Sequence, residues 1–369
     1  MIIGHSGIDM GNSFTARYFV HALALLAVTL LTGCSSASLK EQPPERSLSR
    51  ALPPAATGVL ADIANSIEAG SGADYSGFRV LDSSEDGLRW RLALIDSATT
   101  SLDIQTYLWY PDYSGSLILE RVILAAQRGV KVRIIVDDLI LQGADQLIAN
   151  LHAAPNIEFG IFNPWEDRSS ILNRAGEMLA RMERLNTRMH DKLIVADGHA
   201  VIVGGRNIGD HYFGLSDTYN FHDTDLLGIG QIGREAGDMF DHFWNSEWVA
   251  TADALTTEPD LPIAREQRRV LQQRIQGATQ LQRFALDPQD WSDDFESLAE
   301  ELRLGRSKLV YDKAAREQIS QNMAGTMFNF FNLAKEELLV QTAYIIPGDE
   351  AIDCLESKLD AGVTVRVIT

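Results

Sequence analysis

Two stretches of this chain repeat each other, and the repeat limits the folds open to it. ELLVQTAYI (Glu337 to Ile345) echoes SLDIQTYLW (Ser101 to Trp109), with Gln341-Thr342 matching Gln105-Thr106. GVTVRVI (Gly362 to Ile368) echoes GVKVRII (Gly129 to Ile135) at nearly the same offset. Both copies read helix, strand, helix, strand, as an internal duplication of an α/β unit would. In the first copy, Leu88, Leu92 and Ile95 fall at helical spacing, and a second helix from Gly115 to Arg128 stops at Gly129, the residue type expected just past a helix end. The buried-type strand Val130 to Val136, a helix over Ala144 to His152 and a strand over Ile157 to Phe162 continue the alternation. Such alternation predicts an α/β fold with a mixed sheet flanked by helices. Asp137-Asp138 ends a strand, and strand ends in such sheets often border a site.

The stretch TRMHDKLIVADGHAVIVGGRN (Thr187 to Asn207) breaks the alternation. Residues 190 to 196 read as a strand, Asp197-Gly198 as a two-residue turn needing positive φ at both positions, and Ala200 to Val203 as the returning strand. With a two-residue turn, Lys192 falls opposite Val203 and His190 opposite Gly205. Two apart on one strand, His190 and Lys192 point the same way. Gly204 and Gly205 leave open backbone beside them, a floor that a bulky ligand group could approach. A neutral imidazole beside a fixed cation suits attack on a phosphate ester. Asp197, at the turn, reads as structural, accepting backbone N–H groups as an Asx-turn. His199, His211, His222 and His242 lack any metal-ligand spacing and read as surface or packing residues, so no metal or cofactor is expected.

Charge and cysteine content narrow the function. The chain has 51 acidic against 32 basic residues, a net charge of −19, which disfavours binding nucleic acid through its phosphates. Of the two cysteines, Cys354 sits in an apolar-periodic segment and reads as a buried thiol. Cys34 is different. It closes the apolar run Tyr18 to Leu31, which follows Arg17 and ends in Leu31-Thr32-Gly33, as a signal h-region does. The true start is Met1 or Met10. Residues 1–33 are thus expected to be a signal peptide, with Cys34 lipidated as in the lipobox of bacterial lipoproteins. Residues 34–58 would form a polar, Pro-containing tether, and the body would be exported to the periplasmic side of the cell envelope, anchored to the membrane. Residues 59–250 form a first domain and 251–306 a mostly helical connector. Residues 307–369 begin a second, duplicated domain that reads as incomplete, because Thr369 corresponds to Val136 and no second H-x-K has been reached.

His190, Lys192 and Asp197 in an H-x-K-x4-D spacing, with Gly204, Gly205 and Asn207 following, resemble the signature of the phospholipase D superfamily. YLWYPDYSG (Tyr107 to Gly115), NTRMHDK (Asn186 to Lys192) and FHDTDLLGIG (Phe221 to Gly230) resemble its bacterial cardiolipin synthase branch, most nearly the cardiolipin synthase C type. The resemblance implies two facing motifs, one from each half, with a phosphodiester between them. One histidine attacks phosphorus to give a phosphohistidine, and the other protonates the leaving alkoxide. Lys192 and Asn207 would then meet the non-bridging oxygens, Gly204 and Gly205 would line the phosphate environment, and Asp223 would orient the histidine, with Asp225 a second choice. The implied partners are a phospholipid such as phosphatidylglycerol, a membrane, and a second H-x-K motif from a missing C-terminal half or a homodimer mate. Two alternatives stand beside a lipid phosphodiesterase or phosphatidyltransferase: a non-catalytic half of such an enzyme, and a single-motif homodimeric nuclease.

Overall fold

The structure, a computed structural model, describes residues 38–40, 48–168, 187–314, 322–342, 345 and 347–369. The expected signal peptide, Cys34 and the amphipathic stretch Ile171 to Leu185 lie outside these residues. In chain order the elements are α1 (Val59–Ser71), β1 (Tyr75–Leu81), α2 (Ser84–Ser97), β2 (Ser101–Thr106), α3 (Tyr113–Gln127), β3 (Lys131–Asp137), α4 (Asp145–His152) and β4 (Ile157–Phe162). Then come β5 (Leu193–Ala196), β6 (Ala200–Gly204), β7 (Asp225–Gly230), α5 (Gln231–Trp244), β8 (Val249–Thr251), α6 (Leu261–Gly277), α7 (Ser292–Glu301) and β9 (Arg303–Arg306). Last are α8 (Asn322–Leu333), β10 (Glu337–Gln341), α9 (Asp349–Asp360) and β11 (Thr364–Ile368).

The fold is the expected mixed α/β sheet with helices on its faces. Nine described strands run in the order β8-β4-β3-β2-β5-β6-β7-β1-β9. The helix-linked strands β2, β3 and β4 are parallel, whereas β2-β5, β5-β6 and β6-β7 are antiparallel, with a short turn joining β5 to β6. Both faces are covered. Leu102, Ile104, Ile134, Ile194 and Ile202 pack into one core with α1, α2 and α3. Ile135, Leu193, Val195 and Val201 meet the Met239, Phe240, Phe243 and Trp244 face of α5 in a second core. Successive residues of β3 and β5 thus feed opposite cores, which is why these strands read as unbroken apolar runs.

The repeat is structural as well as sequential. β10 and β11 form a separate parallel pair, and Gln341 lies opposite Ile368 as Gln105 lies opposite Ile135. The register of the two copies is therefore the same. Their surroundings are not: β2 is buried along its length, whereas β10 alternates exposed and half-buried. Cys354, on α9, is half-buried rather than in a core, with its thiol toward the Asn332 side chain.

Two expectations about the linking segments fail. Residues 251–306 do not merely connect, because β9 adds a strand beside β1, and Leu281, Trp291, Phe295 and Leu298 are buried in the first core. Polar composition misled here, since α6 buries only Ile275 and carries the polar residues on its open sides. The described part of the Pro-containing tether also lies on the domain instead of standing off it. The Ala51 N–H donates to both Asp241 carboxylate oxygens, and the Ala55 N–H donates to the Asp197 carbonyl.

Candidate active site

The hairpin expected around Asp197-Gly198 is present, with one change of register. Asp197 and Gly198 have φ of 56° and 66° as the turn demands, but Ala196 pairs with Ala200, so His199 is a third loop residue. Leu193, not Lys192, lies opposite Val203. His199 is drawn out of the ladder by other partners: its Nε2 lies 2.8 Å from the Ala55 carbonyl, and its own carbonyl accepts the Gly230 N–H. The strand also begins later than its apolar pattern suggests. His190, Asp191 and Lys192 precede β5, and the Gly204 N–H reaches the Lys192 carbonyl at 3.4 Å.

His190 and Lys192 do share a side, and the surface they share is Tyr107. The His190 and Tyr107 ring centroids are 4.9 Å apart at 56°, and the Lys192 Nζ lies 5.3 Å from the same phenol centroid. His190 is open to solvent at its edge, but partial burial, with the Lys192 charge added, pushes its pKa below the ordinary 6.5 against the pull of Asp223. The imidazole is therefore mostly neutral and able to attack at pH 7. Lys192 is buried, and this desolvation pushes its ammonium down to about 8, with Asp191, Asp223 and Asp225 opposing. As pH rises through that value the site loses its positive charge. The kcat/KM of a phosphodiester reaction is expected to fall above about pH 8, and Lys192→Arg should move that limb to higher pH, measurable as a pH–rate profile.

The acidic residues separate by role. Asp197 is 2 % exposed, and its two oxygens accept the backbone N–H groups of Thr99, Thr100 and Ser101 and the Thr99 hydroxyl. It is structural, as its turn position suggested, but it caps the start of β2 instead of closing an Asx-turn on its own loop. Asp225 is equally committed. Its carboxylate meets Arg91 Nη1 at 2.7 Å and Arg206 Nη1 at 3.1 Å, and it accepts the Arg206 N–H. Burial pushes its pKa up, but these cations more than offset that and hold it below the usual carboxylate value. Asp223 precedes β7 and is half-buried. It acts on His190 through charge, and among the described residues no hydrogen bond joins the two.

The glycine floor has a different explanation from the one expected. A Cβ on Gly205 would come within 2.5 Å of the Asp223 Oδ1, and one on Gly204 within 2.2 Å of the Asp225 Oδ1. The space beside these glycines is filled by the two carboxylates. Glycine is needed so that Asp223 can lie against the hairpin near His190. Asn207 is also occupied: its Oδ1 accepts the Leu108 N–H at 3.1 Å, and its Nδ2 donates to the Tyr212 hydroxyl at 2.8 Å. It fixes the chain next to Tyr107, and one amide hydrogen is left over for a ligand.

Sequence reasoning missed Tyr107 and Arg188 here, and placed Asp137 only at a strand end of the kind that borders a site. β2 ends at Thr106, so Tyr107 lies just past the strand and its ring turns toward the histidine. Asp137 is fully buried at the end of β3, and Arg188 pairs with it at 3.1 Å. Among the described residues no group of three or more His, Cys, Asp or Glu side chains is placed to hold a metal ion.

Comparison with known proteins agrees with this geometry. The family described as "Cardiolipin synthase, PLD-like domain" matches residues 92–244, a range that holds Tyr107, the hairpin and Asp223. An uncharacterized protein of Helicobacter pylori (strain ATCC 700392 / 26695) is 31 % identical over 301 residues, covering 80 % of this chain and 59 % of that protein. Cardiolipin synthase C of Escherichia coli (strain K12) is 37 % identical over 180 residues, or 49 % of this chain and 37 % of that enzyme. The chain thus spans little more than half the length of the first of these relatives and about a third of the second. The phosphatidylserine synthase of Haemophilus influenzae Rd KW20 shares the fold, with a TM-score of 0.51 at 15 % identity over 83 % of this chain and 65 % of that one. Residues 92–244 are therefore a phospholipase D-like domain of the cardiolipin synthase kind.

Proposed function

We propose that the chain forms one wall of a phosphodiester-transferring site that acts on phospholipids, through a phosphohistidine on His190. The observation that carries this reading is the convergence of a mostly neutral His190 and a cationic Lys192 on one aromatic wall, inside a domain of the cardiolipin synthase kind. The His190 nitrogen attacks phosphorus and the headgroup alkoxide leaves with a proton from a second acid. Lys192 neutralises the charge that builds on the non-bridging oxygens. Asp223 favours the phosphorylated imidazolium formed on attack; neutral imidazole returns when water or a lipid alcohol, giving its proton to the group that protonated the leaving alkoxide, resolves the intermediate. The second acid would be the histidine of another H-x-K motif, in the same polypeptide or a second copy. The open edge of His190 suits a site closed by a facing surface. Anchoring through Cys34 in the cell envelope would keep the enzyme at a two-dimensional substrate, a reading supported by the h-region and the cysteine that ends it. The acidic balance of the chain disfavours nucleic acid as the alternative substrate.

The test is incubation of the purified protein with phosphatidylglycerol vesicles. Cardiolipin with glycerol as co-product would mark a transferase, and phosphatidic acid with glycerol a hydrolase. Failure to turn over phosphatidylglycerol or any other phospholipid, together with cleavage of DNA, would reject the lipid reading in favour of a nuclease.

A further inference from the structure

The β-ladder does not explain how His190 and Lys192 are held, because both precede the first rung of β5. The segment just before them is fastened elsewhere. The Asn163 Nδ2 donates to the Thr187 carbonyl at 2.7 Å. The Met189 N–H donates to Asp137 Oδ2 at 3.0 Å, and Arg188 Nη1 donates to Asp137 Oδ1 at 3.1 Å. The Met189 side chain is buried in the second core, and the Arg188 guanidinium lies over the Trp165 ring at 5.6 Å. Asp137 also accepts the Leu139 N–H at 3.0 Å, so its carboxylate ties the end of β3 to two consecutive residues of the histidine segment. Asp137 is completely buried and accepts from three donors, two of them on the histidine segment.

We propose that Asp137 is a positioning residue of this site: its buried carboxylate, paired with Arg188 and the Met189 N–H, sets the backbone that presents His190 and Lys192 to substrate. The proposal rests on the phosphodiester reading for its effect on rate, but not for the clamp itself. The groups around the carboxylate are few. Arg188 faces it from the histidine segment, and Tyr107 feels its charge from the segment after β2. Asp138, the next residue after β3, is paired instead with Arg168. Tyr107 is the ring that meets both His190 and Lys192, so the charge of Asp137 reaches the site by a second route. Burial pushes the carboxyl up to about 6, with Arg188 and the two N–H donors opposing. The carboxylate is thus mostly ionised at pH 7, and because its buried pKa lies above the ordinary 3.8, opening the clamp releases a proton and becomes harder as pH falls through about 6.

Asp137→Asn keeps the size and one acceptor oxygen but removes the charge. Hydrogen exchange of residues 187–192 in the full chain, corrected for intrinsic rates, reads the clamp without any substrate. In the wild-type protein, exchange is expected to slow as pH falls through about 6, because the closed clamp binds the Asp137 proton more tightly than the open one. In Asp137→Asn it should be about tenfold faster at pH 7 and nearly independent of pH. Against a phosphodiester such as bis(p-nitrophenyl) phosphate, the variant should lose roughly 10²-fold in kcat with KM little changed, because misplacement acts on the reacting geometry. The ionisation near pH 6 should also leave its acid limb. Wild-type protection at pH 7 in the variant would overturn the proposal. If Asp137→Asn fails to fold, Arg188→Met serves, with the exchange midpoint expected to move to higher pH and an unmoved midpoint sinking the idea. A protein that shows the exchange effects but turns over no phosphodiester would reject the catalytic reading and leave the clamp standing.

Discussion

Replacing His190 by alanine is expected to lower phospholipid turnover by at least about 10³-fold while leaving the melting temperature unchanged. The two halves of that expectation have separate causes. The imidazole has an exposed edge, touches the Tyr107 ring and, among the described residues, makes no side-chain hydrogen bond, so its removal costs the fold little. Yet on the proposed route it forms the bond to phosphorus, and no other side chain on the Tyr107 wall can replace it. Lys192 is an ammonium at neutral pH, and Tyr107 is held protonated, its pKa raised by burial and by Asp137. Initial rates on phosphatidylglycerol vesicles and a thermal melt of the same preparation are sufficient measurements. Retention of more than about a tenth of the wild-type rate would remove His190 from the nucleophile's role, since loss of a covalent nucleophile is rarely compensated so well.

The contrast between His190 and its neighbours also marks how far the sequence could be read. Periodicity located α2, β3 and β4 because each feeds a core whose pattern is local to the element. The duplication was legible as well, down to the register that sets Gln341 opposite Ile368. The motif identified His190 and Lys192. What could not be read was decided by partners distant in sequence. The strand begins at Leu193 because Asp137 holds Met189 away from the ladder, and β3 and the histidine segment are separated by a long stretch of chain. The hairpin gained its third loop residue because His199 bonds to Ala55 and Gly230. The glycine pair was read as space for a ligand when two aspartates at the start of the next strand and just before it fill that space. A residue type announces what the backbone needs, but not which neighbour imposes the need.

That distinction gives the D-x-D pair its sharpest test. Asp225→Ala is expected to destabilise the domain by about 3–5 kcal/mol, the typical cost of leaving a buried charge without its partner. The Arg91 side chain is 4 % exposed and that of Arg206 is fully buried, so neither cation can turn to water when the carboxylate is lost. The same pairing has a pH signature. Asp225 is held below the usual carboxylate value, so its contribution is fully present above the unfolded pKa of about 3.9 and is lost as pH falls through the folded value. Denaturant melts of wild type and Asp225→Asn should therefore differ most near neutral pH and converge in acid. Asp223→Asn, two residues earlier, should behave in the opposite way. Its carboxylate is half-buried, has no cation at ion-pair distance among the described residues and acts on His190. The melt should be unchanged, while turnover should fall by roughly 10²-fold or more, as when an orienting carboxylate loses its charge. Should Asp223→Asn melt early and Asp225→Asn stay stable but inactive, the two roles would be exchanged. The Gly204 and Gly205 contacts argue against that exchange: both carboxylates press on the hairpin, but only the one on Gly205 remains uncommitted beside His190.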